Sequence, residues 1–354
     1  MMSKLKIAII GIGSISGSHL NAYHSNSKCQ LWAVCDLNKK RASDAAEKFN
    51  IPHVYTDYRE LLSNPEIDAI SICTWNNSHA EISIAALEAG KRVLCEKPLC
   101  KTVAEALLVE EAVRRTGGLL MIGYVRRHAS SIEVLKKFID AGELGEIYYA
   151  KASLLRRLGN PGGWFSDKER SGGGPLIDIG VHVIDLCWYL MGRPKVQSVK
   201  GHTYHKLGNR SNIENFNFYQ AADYDANHNT VEDIANALIT FENGASLMVD
   251  VSFSLHAQQN SSLINIYGDK GGAEIEPQLS IVTERHNTIL NIEPQISHPG
   301  FEFASSFQHE IDHFVNCCLG TESPISPIED GVEMIKILNA IYQSAEDGRE
   351  IQFK

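Results

Sequence analysis

One short segment constrains the fold of this chain more than any other: a glycine-rich turn between an apolar run and a helical pattern. The apolar run is Leu5–Ile10, the turn contains Gly11 and Gly13, and the helical pattern covers Ile15–Tyr23. Glycines in this strand–turn–helix context are typical of a dinucleotide-binding βαβ unit. The turn therefore predicts a parallel α/β sheet with a phosphate-binding edge.

Each position of the turn has a physical role in this interpretation. Gly11 permits the tight turn and Gly13 leaves room for a pyrophosphate to approach the backbone. Ser14 and Ile15 open the helix, whose free N–H groups and positive dipole end attract the phosphates. Ser16 stands where a third glycine is common and is small enough for close packing. The alternative is a plain strand–helix turn that binds nothing.

The first third of the chain alternates apolar runs with helical patterns. The runs are Leu5–Ile10, Gln30–Cys35, Ala69–Cys73, Arg92–Cys95 and Leu119–Ile122. The helical patterns are Ile15–Tyr23, Lys39–Phe49, His79–Ala89 and Val103–Arg115. This alternation predicts βαβ units in a doubly wound parallel sheet, a Rossmann domain over residues 1–123.

The pattern changes in residues 124–354, which we predict to be a second α/β domain. A strand-like stretch, Ile147–Leu155, precedes a glycine-rich loop and the apolar helix Leu176–Leu190. Alternating strands with turn signals follow, and they predict a mostly antiparallel sheet. Two late helices are expected near the C-terminus, at Ser305–Cys318 and Ile328–Ala345.

Charge and hydropathy exclude several classes of function. The formal net charge is −10, so the chain lacks the basic footprint of a nucleic-acid-binding protein. Its longest apolar run, Leu186–Met191, is far shorter than a membrane span. The first residues contain no signal-peptide pattern, and the cysteines have no zinc spacing. We therefore expect a cytoplasmic protein with reduced cysteines that binds neither nucleic acid nor membrane.

Asp36 directly follows the second apolar run and bears on cofactor choice. An acidic residue at this place hydrogen-bonds the adenine ribose and repels a 2′-phosphate, which favours NAD over NADP. The basic residues Lys39, Lys40 and Arg41 come next and could instead reach a phosphate. We interpret them as the solvated first turn of a helix, so NAD is the predicted cofactor.

Several longer motifs carry a resemblance to a known family. These are Cys95-Glu96-Lys97-Pro98, Gly172-Gly173-Gly174-Pro175-Leu176-Ile177-Asp178-Ile179-Gly180-Val181-His182, Tyr267-Gly268-Asp269-Lys270-Gly271-Gly272 and Ser344-Ala345-Glu346-Asp347-Gly348-Arg349-Glu350. Together they resemble the Gfo/Idh/MocA oxidoreductases along nearly the whole chain. The resemblance implies a Rossmann domain, a C-terminal α/β domain with a large open sheet, and homodimers or homotetramers formed through that sheet.

Lys97, Asp178 and His182 are the predicted catalytic residues. Lys97 follows a parallel strand at the edge where such sheets bind ligands, and can donate to a substrate oxygen. Asp178 and His182 are four residues apart, which places them on one face of a helix. His182 is our proposed general base, with Lys97 as the alternative. Because Lys97 supplies the electrophile, no metal is predicted.

The resemblance also implies cofactor and substrate contacts. Thr74, Asn76 and His79 would line the cofactor, in a loop where Trp75 stands at the family's usual proline. Glu96 is assigned to the cofactor site, with a local anchoring role as the alternative. Arg127, Arg157 and Trp164 are the further substrate candidates, and each has a structural alternative: solvation for the arginines, a hydrophobic plug for the tryptophan. Asp185 either orients His182 or tethers the core.

Three functions remain open at this point. The leading hypothesis is an NAD-dependent dehydrogenase that oxidises a secondary alcohol of a sugar or cyclitol such as an inositol. The second is an NADP-dependent reductase of a keto- or anhydro-sugar, against which Asp36 argues. The third is a non-catalytic dinucleotide-binding sensor or repressor, against which the joint presence of Lys97, Asp178 and His182 argues.

Overall fold

The structure is a computed structural model that describes residues 4–210, 212–214, 216–221, 223–225 and 227–353. The chain divides into two compact units: unit one is Met1–Val125 with Phe303–Ile335, and unit two is Arg126–Glu302 with Lys336–Lys354. The sequence pattern predicts a division between residues 123 and 124. It gives no sign that Phe303–Ile335 belongs with unit one.

Unit one is built on a six-stranded parallel sheet in the order β3-β2-β1-β4-β5-β6. Its strands are β1 (Leu5–Ile10), β2 (Cys29–Cys35), β3 (His53–Tyr55), β4 (Ala69–Ile72), β5 (Arg92–Glu96) and β6 (Leu120–Gly123). Its first helices are α1 (Ser16–Ser25), α2 (Lys39–Phe49), α3 (Tyr58–Leu62), α4 (Asn76–Glu88) and α5 (Val103–Thr116). Strands β1, β4, β5 and β6 are buried along almost their whole length, as in parallel sheets covered by helices on both faces. The predicted doubly wound sheet is confirmed.

The sequence pattern missed two short elements of unit one. Strand β3 has three residues and lies half-exposed at the sheet edge, where periodicity gives little signal. Helix α3 has five residues and begins after Asp57, whose side chain accepts a hydrogen bond from the Arg59 N–H. Local capping, rather than an apolar stripe, defines this helix.

The segment after Phe303 joins unit one through helix α9 (Phe303–Cys318), which packs against α1. Its side chains Ile311 and Phe314 are buried in the same apolar core as Leu20. Gln308 Nε2 donates to the Ala22 carbonyl oxygen at 3.2 Å. The chain therefore returns to complete the first unit. Helix α10 (Ile328–Asp347) follows.

Unit two is built on a nine-stranded sheet in the order β14-β13-β12-β11-β7-β10-β9-β8-β15. Its strands are β7 (Ile147–Leu155), β8 (Val196–Tyr204), β9 (Ile234–Phe241), β10 (Ser246–Ser252), β11 (Ser261–Gly268), β12 (Gly271–Glu276), β13 (Ser280–Arg285), β14 (Thr288–Ile292) and β15 (Ile351–Gln352). The paired strands are antiparallel except β7 and β10, which run parallel. The large, mostly antiparallel sheet is confirmed.

One face of this sheet forms the core of unit two. Leu247, Val249 and Val251 alternate along β10 and are buried. The apolar helix α8 (Val181–Leu190) lies against β7, β10 and β11 on that face. The unit also contains α6 (Ser130–Asp140), the four-residue α7 (Lys168–Ser171) and the part of α10 from Lys336 onward.

The structure also bears on two expectations from the sequence, which concern membrane spans and cysteines. Among the residues the structure describes, no helix combines the length and apolar character needed to cross a bilayer. The eight cysteines are all free thiols in buried positions. Burial raises the pKa of the Cys35 thiol to about 12, so this side chain stays protonated as a small apolar group.

Candidate active site

The glycine turn after β1 has the geometry that the sequence predicts. Gly11 has a φ of +90°, and a Cβ built there would lie 2.7 Å from the carbonyl carbon and oxygen of Cys73. The turn is thus in close contact with the loop that follows β4. A Cβ at Gly13 would meet nothing within 4 Å. Glycine at 11 is therefore required by the fold, whereas glycine at 13 keeps a space open.

The start of α1 explains how a serine replaces the third glycine. Ser16 is buried, and its Oγ donates to the Gly13 carbonyl oxygen at 2.7 Å. Ile15 occupies the N-cap position and provides no side-chain cap. Helix N-termini without a side-chain cap attract anions, because their leading N–H groups point outward.

Asp36 lies at the carboxyl end of β2 and is fixed by two backbone donors. Its Oδ2 accepts from the Ile12 N–H at 2.8 Å, and its Oδ1 accepts from the Asn38 N–H at 2.7 Å. Among the basic residues that follow, Arg41 Nε lies 3.9 Å from Asp36 Oδ1. Lys40 instead pairs with Asp44 on the surface of α2. The acidic side chain is thus held beside the glycine turn.

The loop after β4 combines predicted cofactor residues with a structural histidine. Asn76 is the buried first residue of α4, and Thr74 Oγ1 accepts from Ser78 Oγ at 2.8 Å. His79 is buried, with Nδ1 at 2.7 Å from the Pro98 carbonyl oxygen and Nε2 at 3.1 Å from that of Thr74. Burial lowers the pKa of His79, which favours the neutral ring. His79 ties this loop to the segment after β5.

Lys97 follows β5 and is half-buried, with a cis peptide bond to Pro98. The preceding Glu96 is buried and uses both carboxylate oxygens locally. Its Oε2 accepts from the Lys97 N–H at 3.1 Å, and its Oε1 lies 2.9 Å from His19 Nε2. These contacts favour the anchoring role for Glu96 over direct contact with a cofactor.

The predicted cofactor residues of unit one follow the carboxyl ends of neighbouring strands. Gly11 and Gly13 follow β1, Asp36 follows β2 and Thr74 follows β4. The strand order reverses direction at β1 and β4, the crevice where doubly wound sheets bind nucleotides. The open position at Gly13 and the fixed carboxylate of Asp36 fit a dinucleotide. The turn residues would hold its pyrophosphate, and Asp36 its adenine ribose.

In unit two, Asp178 and His182 stand where the backbone changes its helical form. Leu176–Gly180 is a single π-helical turn, and α8 continues from Val181. Both side chains are half-buried. Single π-turns are frequent at functional sites. The four-residue spacing therefore spans the junction of a π-turn and an α-helix, which sequence spacing alone does not reveal.

Glu232 holds the glycine-rich loop before Asp178, and the sequence pattern did not single it out. This buried carboxylate accepts from the Gly174 N–H at 2.9 Å, the Leu176 N–H at 3.2 Å and the Tyr342 hydroxyl at 2.8 Å. Burial, together with the charge of Glu232, raises the pKa of Tyr342 well above its usual range, so the phenol stays a donor. The one available signal was an acidic pair, Glu232-Asp233, just before strand β9.

Arg127 and Asp185 form a buried ion pair. Arg127 Nε donates to Asp185 Oδ2 at 2.9 Å and Nη2 donates to Oδ1 at 2.5 Å, and both side chains are 0% exposed. The guanidinium also lies 4.5 Å from the Tyr189 ring centroid. Asp185 was expected either to orient His182 or to tether the core, and this contact fits the core tether. Arg127 was predicted to contact substrate, but its guanidinium is hydrogen-bonded to Asp185 inside unit two.

The other predicted substrate residues lie around the glycine-rich loop of unit two. Trp164 is half-buried, with its ring centroid 3.9 Å from that of Phe165. Arg157 is exposed, and its Nη1 donates to the Gln258 carbonyl oxygen at 2.9 Å. The buried Asn160 accepts from the Gly162 N–H at 3.0 Å, so it fixes the loop backbone.

Two family models account for most of the chain. Residues 5–124 match the NAD-binding Rossmann fold of the Gfo/Idh/MocA oxidoreductase family, and residues 136–353 match that family's C-terminal α/β domain. The resemblance drawn from the motifs is confirmed.

Individual relatives extend along the whole chain. The chain is 34% identical to D-glucoside 3-dehydrogenase of Escherichia coli (strain K12), over 99% of this chain and 98% of the relative. It is 28% identical to scyllo-inositol 2-dehydrogenase (NAD(+)) of Bacillus subtilis (strain 168), over 99% and 97%. The crystal structure of an oxidoreductase domain protein from Kribbella flavida superimposes with a TM-score of 0.87 at 26% identity, covering 100% of both chains. The chain belongs to the Gfo/Idh/MocA family of oxidoreductases, and its N-terminal part is the family's NAD-binding Rossmann domain.

Proposed function

We propose that this protein is an NAD-dependent dehydrogenase that oxidises a secondary alcohol of a sugar or cyclitol. The observation that carries the proposal is the arrangement in unit one. The glycine turn, the fixed carboxylate of Asp36 and the half-buried Lys97 follow the carboxyl ends of three strands of one parallel sheet. The names of the relatives, a glucoside dehydrogenase and an inositol dehydrogenase, support the substrate class.

The proposed chemistry assigns a separate task to each catalytic side chain. Lys97 donates a hydrogen bond to the substrate oxygen and stabilises the negative charge that develops there. His182 takes the hydroxyl proton as general base, and Asp178 hydrogen-bonds the substrate hydroxyl or orients the histidine. NAD would supply the acceptor for the hydride of the carbinol carbon. Trp164 and Arg157 are proposed to contact the sugar ring.

Asp36 supports the choice of NAD over NADP. Its two oxygens accept from the Ile12 and Asn38 N–H groups, so the carboxylate cannot swing away without losing both hydrogen bonds. A 2′-phosphate would therefore meet a fixed negative charge. Arg41 Nε lies 3.9 Å from the same carboxylate. The positive charge of Arg41 is therefore partly balanced by Asp36, which makes it less available to a 2′-phosphate.

The sheet of unit two supports a homodimer or homotetramer. Leu238 and Met248 are register partners on β9 and β10, and both are more than 40% exposed. Tyr267 is 38% exposed and stacks on Tyr149, with ring centroids 5.5 Å apart. Contiguous apolar side chains on a sheet face favour association. The free cysteines support a reducing, cytoplasmic location.

A screen for NADH formation tests the function. Inositol isomers, glucosides, aldoses and sugar acids are offered with NAD and, separately, with NADP. We expect NAD-dependent turnover of a polyol. Turnover with NADP only would favour the keto- or anhydro-sugar reductase. Binding of NAD without turnover of any polyol would favour the sensor.

The role of Lys97 is tested by Lys97→Ala, with the exposed Lys40→Ala as the matched control. We expect turnover to fall by at least ~10²-fold in Lys97→Ala, the scale of a lost oxyanion or proton-transfer contact. Lys40→Ala should keep the wild-type rate, and calorimetry should give both variants nearly the wild-type affinity for NAD. A Lys97→Ala enzyme with normal turnover would exclude this role.

A further inference from the structure

Three buried titratable side chains meet beneath the Lys97 segment, inside unit one. They are His19 on α1, Glu96 at the end of β5 and Glu310 on α9, and we call them the His19–Glu96–Glu310 cluster. They are 0%, 5% and 0% exposed, and one ligand-type atom from each lies within 4.8 Å of the others. None of the assigned catalytic steps uses His19 or Glu310.

Two hydrogen bonds hold the carboxylate of Glu96 in the cluster. The Tyr23 hydroxyl lies 2.7 Å from Ser71 Oγ, which lies 3.3 Å from His19 Nδ1. Because an ionised carboxylate only accepts, His19 Nε2 is the donor to Glu96 Oε1, at 2.9 Å. The Lys97 N–H donates to the other oxygen. Both carboxylate oxygens of Glu96 therefore have a hydrogen-bond donor.

Glu310 is in the opposite situation. Its two carboxyl oxygens are buried and have no hydrogen-bond partner among the described residues. An ionised carboxylate left like this would be costly, so the group is expected to become neutral instead. Burial, and then the charge of Glu96, raise the pKa of Glu310 well above its usual range.

The other titratable groups near the cluster are neutral. They are Tyr23 on α1, Cys73 and His79 in and after the loop that follows β4, and Cys95 on β5. Burial raises the pKa values of Tyr23, Cys73 and Cys95 well above their usual ranges, and burial lowers the pKa of His79. The charged group that acts on Glu310 is Glu96.

Distances favour a proton over a divalent cation. His19 Nε2 and Glu96 Oε1 are 2.9 Å apart, the usual length of a hydrogen bond. Two ligands at 2.0–2.2 Å from a tetrahedral zinc ion would be about 3.4 Å apart. His19 Nε2 and Glu96 Oε1 are therefore closer together than two ligands of one zinc ion would be, and they are joined by a hydrogen bond instead.

We propose that Glu310 is a neutral carboxylic acid in the folded protein at neutral pH, so that no second negative charge repels Glu96, whose carboxylate accepts from the backbone N–H of Lys97. Glu310 thus acts on the Lys97 segment only through Glu96. The consequence for turnover rests on the proposed role of Lys97, whereas the protonation of Glu310 does not.

Infrared spectroscopy of the full-length protein tests the protonation. In D2O at neutral pD we expect the carbonyl stretch of a protonated carboxyl group in the wild type. The band should disappear in Glu310→Gln and persist in Glu329→Gln, which alters an exposed glutamate of the same unit. Absence of such a band in the wild type would overturn the proposal. So would a stoichiometric divalent metal in elemental analysis of the purified protein.

Stability against pH provides a second, substrate-free measurement. Because the pKa of Glu310 is raised on folding, the native state binds the extra proton between the unfolded and folded pKa values. Stability therefore falls as pH rises through that interval, with the unfolding equilibrium constant increasing about tenfold per pH unit relative to Glu310→Gln. Identical pH dependence in the two proteins would contradict the proposal.

Turnover tests the consequence for Lys97. Glu310→Gln and Glu310→Leu are both uncharged, like the protonated acid, so a variant that folds should keep turnover within ~3-fold of the wild type, a change below 1 kcal/mol. A fall in kcat of ~10-fold or more in a folded Glu310→Gln protein would mean that the enzyme needs a charged Glu310, and would overturn the proposal. The infrared and stability measurements need no substrate, so they test the protonation of Glu310 even if the protein is not a dehydrogenase.

Discussion

The buried ion pair of Arg127 and Asp185 leads to a quantitative prediction about unit two. Both side chains are 0% exposed, and two hydrogen bonds of 2.9 and 2.5 Å join them. Removing one member of such a pair leaves the other charge buried, which costs about 3–5 kcal/mol. We therefore expect Asp185→Leu to lower the free energy of unfolding by about that amount, and Arg127→Met by somewhat less, because a buried carboxyl can neutralise itself by protonation.

The double variant distinguishes the pair from two independent contacts. Replacing both members of a buried pair with apolar side chains of similar volume is neutral or stabilising by about 1–4 kcal/mol. Arg127→Met/Asp185→Leu should therefore recover most of the stability that each single change loses. The resulting coupling energy of several kcal/mol would far exceed that of an exposed pair.

Urea denaturation followed by circular dichroism at neutral pH measures all four proteins. The matched control is Asp44→Ala, which removes an exposed pair with Lys40 and should leave the transition unchanged. The reasoning is refuted if Arg127→Met unfolds like the wild type while the KM for the polyol rises. That result would mean that the guanidinium contacts substrate, as the sequence first suggested.

Three further predictions concern the cofactor and the chemistry. In Asp36→Ala the difference in Kd between NAD and NADP, measured by calorimetry, should become smaller. An unchanged difference would show that this carboxylate does not select NAD over NADP. In His182→Asn the loss of kcat/KM at low pH should vanish, and the rate at high pH should fall roughly 10²-fold. Asp178→Asn should keep the pH dependence. A wild-type pH profile in His182→Asn would show that another group is the general base. Gly13→Ala should fold normally but bind NAD about tenfold more weakly, which corresponds to ~1.4 kcal/mol of binding free energy. Gly11→Ala should also lower the melting temperature. A Gly11→Ala protein that melts at the same temperature as Gly13→Ala would contradict the close contact at Gly11.

Much of unit one could be read from local sequence. Continuous apolar runs and helical periodicity are properties of neighbouring residues, so the five longer strands of the sheet and the longer helices between them were predictable. Gly11 and Gly13 were predictable for the same reason, since a tight turn demands particular residues at particular positions. Strand β3 and helix α3 were not, because three to five residues carry too little periodicity.

The partners of buried polar groups were decided only by the tertiary structure. Glu232 receives hydrogen bonds from Gly174 and Tyr342, and Glu310 comes to lie beside Glu96, across long stretches of chain. The sequence alone therefore determined the two-part architecture, the nucleotide-binding turn and the chemical types of the candidate residues. Which charges are buried, and which are neutralised, depended on long-range packing, because a carboxylate's environment is set by whatever elements the fold brings against it.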